Sequence, residues 1–343
     1  MKRPLMLPLV PLYAAGLALR DLRLSRGWEP IRRLRYPVVS IGNLSTGGSG
    51  KTPLAITLAR ILSASGFHVD VLSRGYGRMS REPARVQPEG TSEQYGDEPL
   101  LIAREAGVPV YVAAERYDAG LLAESNPSRD ENAPHIHILD DGFQHRQLHR
   151  DIDILLLQSA DLQDSLLPAG NLRESLREFN RATVLAYAED EPEVGAFLNE
   201  IIPLDRNSES PRWIGPVWRI RRRMEIPQVS GPVVAFCGIA RPGQFFAGLE
   251  ADGISLASRV PFPDHHGYTP RDIQKLIAVA RSKAATSFIT TEKDEVRLAG
   301  LSSQFPISLP LGTSRLKLSI EDESHVSDWL IARLKPGPVT LSL

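Results

Sequence analysis

The chain has 343 residues, room for two domains of ordinary size, with 42% hydrophobic and 24% charged residues, the balance of a globular protein. A formal net charge of −1 gives no global electrostatic case for a nucleic-acid partner. Cys237 is the single cysteine, which excludes an intramolecular disulfide and a cysteine-rich metal site.

Residues 1–36 carry Lys2, Arg3, Arg20, Arg23, Arg26, Arg32, Arg33 and Arg35 against Asp21 and Glu29. Between the basic residues runs an apolar stretch from Leu5 to Leu19, interrupted by Pro8 and Pro11. Fifteen residues with two prolines fall short of the roughly 20 that a bilayer-spanning helix needs. Three readings stand: a secretory signal, whose outline Lys2-Arg3 plus apolar run matches; a basic, apolar anchor in the interface of an anionic leaflet; or a helix docked on the protein's own core.

Next comes the segment richest in chemistry. An apolar strand, Val38–Ile41, leads through Gly42-Asn43-Leu44-Ser45-Thr46-Gly47-Gly48-Ser49-Gly50 into Lys51-Thr52-Pro53 and a helix. This order suits a phosphate-binding loop. Backbone N–H groups of Thr46, Gly47, Gly48, Ser49 and Gly50 converge on phosphate oxygens, and the following helix points its positive end at the same anion. Lys51 reaches the β- and γ-phosphates and the Thr52 hydroxyl ligates Mg²⁺. Pro53 falls in the first helical turn, where its missing N–H costs little. Ser45 stands where the generic G-x-x-x-x-G-K-[ST] pattern has glycine. Leu54, Leu58, Ile61 and Leu62 follow at helical spacing, an apolar face for a sheet. A nucleotide site argues against export to a compartment without ATP, and with the absent disulfide it points to the cytoplasm.

From here the pattern alternates strands and helices, as βαβ units do. Strands are expected at 37–41, 68–73, 109–113, 135–139 and 152–157, with helices at 52–64, 97–106 and 115–124 between them. The expected fold class is α/β, a parallel sheet with helices on both faces. Two polar loops interrupt it, Met79 to Gly96 and Ser125 to Pro134, the first long enough for a functional role. Periodicity lapses around 203–231: Asn207-Ser208-Glu209-Ser210-Pro211 reads as a turn, and Val217–Ile226 as an irregular strand bearing Arg219, Arg221, Arg222 and Arg223. The division expected is a basic, apolar segment at 1–36, a nucleotide domain at 37–206, a linker at 207–231 and a second α/β domain at 232–343. The last opens with a strand at Val233–Phe236 and a helix at 242–250, and adds a strand at Phe288–Thr291 and a helix at about 322–334.

Charged motifs fall where strands end. His135-Ile136-His137-Ile138-Leu139 delivers Asp140 and Asp141 beside the phosphate loop, either of which can hold Mg²⁺ directly or through water. Gly142-Phe143-Gln144-His145 follows. Arg74-Gly75-Tyr76-Gly77-Arg78 opens onto the same sheet edge, two arginines on a glycine turn that suit a phosphate. Asp97, in Gly96-Asp97-Glu98-Pro99, is a helix N-cap or a base delivered by the long loop. In Phe262-Pro263-Asp264-His265-His266 an aspartate adjoins an imidazole, but two adjacent histidines do not easily share a zinc ion. Thr291-Glu292-Lys293-Asp294 has its lysine in the wrong place for a guanine-reading N-K-x-D element.

Taken together and in order, these segments resemble the tetraacyldisaccharide 4′-kinases of lipid A biosynthesis. The match adds Leu167-Pro168-Ala169-Gly170-Asn171-Leu172-Arg173-Glu174, covers about residues 1–300 and makes Ser45 unremarkable. The resemblance implies ATP- and Mg²⁺-dependent phosphoryl transfer to the 4′-hydroxyl of tetraacyldisaccharide 1-phosphate, giving the bisphosphorylated lipid A precursor. It implies a P-loop NTPase-like domain and a smaller α/β lobe joined by a short β linker. It further implies an N-terminal helix on the cytoplasmic face of the bacterial inner membrane, with Asp97 and His265 paired near the acceptor hydroxyl. Arg74 and Arg78 are candidates for phosphate or acceptor sugar, while Gln144, His145 and Glu174 belong near the site by resemblance alone. No nucleic acid or obligate protein partner is implied.

Overall fold

The computed structural model describes residues 3–126, 133–202 and 213–334. The turn expected at 207–211 and most of the polar loop at 125–134 lie outside them. Twelve strands are described: β1 (Val38–Gly42), β2 (His68–Ser73), β3 (Ala84–Arg85), β4 (Val110–Val112), β5 (His135–Asp140), β6 (Ile152–Leu157), β7 (Val184–Ala188), β8 (Val217–Glu225), β9 (Val233–Cys237), β10 (Leu256–Pro261), β11 (Ser287–Thr291) and β12 (Leu311–Ile320). They hydrogen-bond in one sheet, in the order β10-β9-β11-β12-β8-β7-β6-β1-β5-β2-β4-β3. The helices are α1 (Val10–Ser25), α2 (Lys51–Ala64), α3 (Ser92–Tyr95), α4 (Asp97–Glu105), α5 (Arg116–Glu124), α6 (Ser159–Gln163), α7 (Pro192–Ile201), α8 (Pro242–Ala251), α9 (Pro270–Ser282), α10 (Glu292–Leu298) and α11 (Glu323–Leu334).

The central strands β1, β2, β5 and β6 pair in parallel and are buried on both faces, because helices cover both. Alternation then sorts each strand by face. Val69, Val71, Ile136 and Ile138 join Leu54, Leu58 and Leu62 of α2 in one core. Leu72, Tyr111 and Leu139 pack with Ala119 and Ala123 of α5 on the other.

Two parallel blocks meet at one antiparallel pair, β8 with β12. In a flat sheet that reversal would put the C-terminal ends of β9 and β11 on the far side from those of β1 and β5. The right-handed twist of successive pairs, typically about 20–25° each, turns them back. Contacts close the cleft: Arg241, before α8, donates to Gln158 Oε1 at 2.9 Å, and Arg222 of β8 reaches the Ser49 carbonyl at 3.4 Å.

One expectation needs correction. The N-terminal apolar segment is longer than its uninterrupted run suggests, because a 3₁₀ turn at Pro4–Leu9 continues directly into α1. Pro8 sits in that turn and Pro11 in the first turn of α1, where a missing N–H breaks no helical bond. Pro4–Ser25 is thus 22 helical residues containing an 18-residue stretch with a mean hydropathy of 1.4, long and apolar enough to cross a membrane by length and composition. Only Leu24 of α1 is buried.

Candidate active site

The phosphate loop is built between β1 and α2. Gly47 and Gly50 take φ of 109° and 93°, values that leave glycine as the natural occupant and turn successive N–H groups inward. The Thr46 N–H donates to the Asn171 carbonyl at 2.9 Å. Lys51 and Thr52 are buried. The Lys51 ammonium donates to Asn43 Oδ1 at 2.8 Å and lies 3.2 Å from Asp141 Oδ1.

Asp140 ends β5, register-paired with Ile41 beside the loop. Burial, then the charges of Glu98 and Asp141, push its carboxyl up to about 7. Its Oδ1 is buried with no hydrogen-bond partner, as is the Ser49 hydroxyl. Asp141 takes φ of 51° and turns the other way, toward Lys51 and Arg173 Nη1 at 3.0 Å. Burial alone would raise it; Lys51 and Arg173 overcome that and hold it at about 2. The orphaned Asp140 carboxylate, the ionised Asp141 and the buried Thr52 hydroxyl are all oxygen donors, the chemistry a hard cation such as Mg²⁺ takes.

The long polar loop delivers Asp97 to the opposite wall. Gly75 and Gly96, both at positive φ, let two turns touch: a Cβ on Gly96 would stand 2.9 Å from the Tyr76 carbonyl. Asp97 Oδ2 lies 2.9 Å from His265 Nδ1 and accepts from Arg297 Nε at 2.6 Å. Burial would raise the Asp97 carboxyl, but His265 and Arg297 pull it below its ordinary value. The bond to Asp97 in turn raises His265. His265 itself sits at φ of 59°, with its N–H on the Gly238 carbonyl at 3.1 Å, and Tyr76 lies over its ring at 5.6 Å. His266 faces away to Asp272, 3.2 Å distant, so the adjacent histidines serve different places.

The family model for tetraacyldisaccharide-1-P 4′-kinase matches residues 2–335 of this chain. The chain belongs to the tetraacyldisaccharide 4′-kinase family. The enzyme of that name from Koribacter versatilis is 39% identical over 334 residues, 94% of this chain and 97% of that one. The one from Aquifex aeolicus is 36% identical over 342 residues, 92% of this chain and 96% of that one. A crystal structure of Aquifex aeolicus LpxK in complex with ATP is similar with a TM-score of 0.72 at 33% identity, covering 96% of this chain and 98% of that one.

Around this kinase core the remaining candidates separate. Gln144 donates to the Asn43 carbonyl at 2.8 Å and accepts from Arg173 at 3.1 Å, bracing the loop against Asp141. Arg74 is exposed, whereas the terminal nitrogens of Arg78 are buried under the glycine turn without a partner. His145 is driven down to about 4 by burial and by Arg116, Arg150 and Arg74, so it is a neutral imidazole at physiological pH. Glu174 is fully buried between Arg181, at 2.8 Å, and Arg20 of α1. It ties the N-terminal helix to Arg181.

Four participants escaped the sequence reading. Arg297 grips Asp97, Lys293 pairs with Glu98 at 2.7 Å, Arg173 pairs with Asp141, and Arg116 adds buried charge beside it. Of these, Lys293 and Arg173 stand inside motifs already singled out, without a role read for them, and Arg297 and Arg116 carry no local signal.

Proposed function

We infer that this chain uses ATP to phosphorylate the 4′-hydroxyl of tetraacyldisaccharide 1-phosphate, with Asp97 receiving the hydroxyl proton. The single observation behind the role of Asp97 is that His265 and Arg297 both bond its Oδ2. Oδ1 is thereby left as the oxygen for the sugar hydroxyl, and the carboxylate stays ionised to act as base. Lys51, released from Asn43 and Asp141, moves to the β- and γ-phosphates, and the Gly47–Thr52 amides hold the rest of the donor. Thr52, Asp140 and Asp141 would hold Mg²⁺, which neutralises charge on the phosphates when bound. Catalysis by the remaining groups is positioning: donor on one wall, base on the other, and water kept out between them.

The lipid side of the substrate is supported by α1. A groove of about 640 Å³ runs along it, lined by Leu9, Leu12, Tyr13, Leu17 and Pro168. Tyr13 donates to the Arg173 carbonyl at 2.9 Å, and Arg173 holds Asp141, so an acyl chain in the groove would lie next to the phosphoryl site. The exposed apolar residues of the same helix favour contact with a membrane. The nucleotide requirement makes the cytoplasmic face the one that ATP can reach. The deciding experiment incubates the protein with γ-labelled ATP, Mg²⁺ and detergent-dispersed tetraacyldisaccharide 1-phosphate. Label is expected in a bisphosphorylated lipid and absent with Lys51→Ala; a folded Lys51→Ala that labels lipid at the wild-type rate would refute the assignment.

A further inference from the structure

Away from the kinase cleft, at the opposite end of the strands, lies a second cluster that the phosphoryl-transfer chemistry does not use. β2 begins His68-Val69-Asp70 and its parallel neighbour β5 begins His135-Ile136-His137. The register pairs His68 with His135 and Asp70 with His137. Side chains two apart on a strand share a face, so an H-x-D beside an H-x-H sets four titratable groups in a square. They face the α5 side, beneath Tyr36, whose ring stacks on His135 at 4.0 Å.

From this arrangement we propose that His68, Asp70 and His135 are the ligands of a divalent transition-metal site, with zinc the ion that fits best. The ligand atoms of all three lie within 4.8 Å of one another. His135 Nε2 is 2.5 Å from Asp70 Oδ2, and His68 Nε2 is 3.4 Å from Asp70 Oδ1. Two ligands on a tetrahedral zinc, each about 2.0–2.1 Å from the metal, stand roughly 3.4 Å apart. His68 is already at that separation from Oδ1 and His135 is closer than that to Oδ2, so the two imidazoles flank one carboxylate, which would bind through both oxygens or turn one of them to the ion. Two imidazoles and one carboxylate match zinc chemistry, and His68, the partly exposed member, marks the side where water completes the shell.

The unsatisfied atoms form an independent argument. Asp70 and His137 are both 0% exposed. Yet Asp70 Oδ1 and both ring nitrogens of His137 lack hydrogen bonds. Leaving buried polar atoms unmatched is costly, and native proteins rarely concentrate them without a partner. His137 stands 3.5 Å from Asp70 Oδ2 on one side and 3.5 Å from Glu124 Oε1 on the other. Glu124 in turn accepts from the Arg35 N–H at 2.6 Å. Drawing Asp70 onto a metal lets His137 close on both carboxylates, the outer carboxylate–imidazole support that metal ligands usually have. The ion would pin β2, β5, α5 and the approach to β1 at the edge remote from catalysis.

The test uses the full chain, stripped with chelator and titrated with zinc chloride in nucleotide-free buffer, with bound metal counted after gel filtration. One tight equivalent is expected, with cobalt giving the intense visible bands of a tetrahedral site. At a hundredfold excess of free zinc over Kd, Tm should rise by about 3–4 °C. His68→Ala, at the partly exposed edge, should fold and lose that equivalent, as should His135→Asn; His325→Ala, on the surface of α11, should keep it. Retention of a full equivalent in His68→Ala, or no saturable binding to a folded wild-type chain, would overturn the site. The second result would leave the cluster as imidazolium–carboxylate pairs. An equivalent lost instead in Asp140→Asn would place the ion in the kinase cleft and equally refute the proposal.

Discussion

Asp140 and Asp141 are sequence neighbours held in opposite electrostatic states, one raised to about 7 and the other lowered to about 2. The raised group makes a testable trade. Its folded value exceeds the ordinary 3.8, so ionisation costs folding stability, a cost absent at low pH and complete once pH passes about 7. Asp140→Asn should therefore raise Tm by a few degrees in metal-free buffer at pH 7.5, with the gain shrinking to nothing near pH 4, while kinase activity falls at least about tenfold. Calorimetry across that range decides it: a Tm gain independent of pH would mean the effect is packing. The dyad carries the opposite signs. His265 is raised by Asp97, so its contribution is complete below about 6.5 and fades as pH climbs through the folded value. Asp97 is lowered, so its contribution is present above the usual carboxylate range and lost only in stronger acid. Asp97→Asn and His265→Ala should each cut kcat by at least about 10²-fold with ATP affinity nearly unchanged. In Asp97→Asn the His265 ring should titrate at a lower pH by NMR; an unmoved titration would remove the pairing from the mechanism.

Between α4 and α10 a latch forms from two parallel ion pairs, Asp97–Arg297 and Glu98–Lys293. Consecutive residues at the start of α4 meet residues four apart in α10, the spacing that puts Lys293 and Arg297 on one helical face. Lys293→Met should destabilise by about 1–3 kcal/mol, less than a fully buried pair because both side chains are partly exposed. The double variant Glu98→Gln, Lys293→Met should recover part of that loss in urea unfolding, and strictly additive losses would show the pair to be uncoupled. This latch also marks the limit of legibility in the sequence. The phosphate loop, Asp140-Asp141 and the strands β1, β2, β5 and β6 could be read because each is specified locally, by glycine placement or an apolar run. The cationic mates Arg297 and Lys293 could not, since they lie about two hundred residues downstream and reach α4 only through the β8–β12 reversal and the twist of the sheet, whereas the Asp97–His265 pairing came from the family resemblance alone. The amphipathic strands β10 and β12 and helices α7 and α9 were likewise passed over. Their alternation is diluted by charged residues such as Arg315 and Lys317, which pair with Glu105 of α4 across the sheet.

At the scale of the whole molecule, the membrane role proposed for α1 rests on how the helix is held. It is held by polar ties rather than by a buried face: Arg20 to Glu174, Tyr13 to the Arg173 carbonyl, and Asp21 to Arg146 at 2.6 Å. The apolar residues of α1 and of the 3₁₀ turn before it are left outside, with Leu12 at 73% exposure and Leu5 at 92%. A helix docked for the protein's own stability would have the reverse arrangement, apolar side inward and polar side out. The ties run to the segment that positions Asp141, so a membrane plane selected by α1 would also fix the orientation of the phosphoryl site. Leu5, Leu7 and Leu19 are exposed and stand apart from the groove residues, which makes them clean probes. Replacing all three by glutamate removes roughly 1 kcal/mol of membrane transfer at each partly inserted position. Partition onto vesicles with anionic lipid should fall about a hundredfold in sedimentation, with Tm unchanged. The apparent KM for lipid in vesicles should rise in step, while kcat at saturating detergent-dispersed lipid holds. Unchanged partition would return α1 to the role of a docked helix, and a lowered Tm would show that these leucines pack on the protein after all.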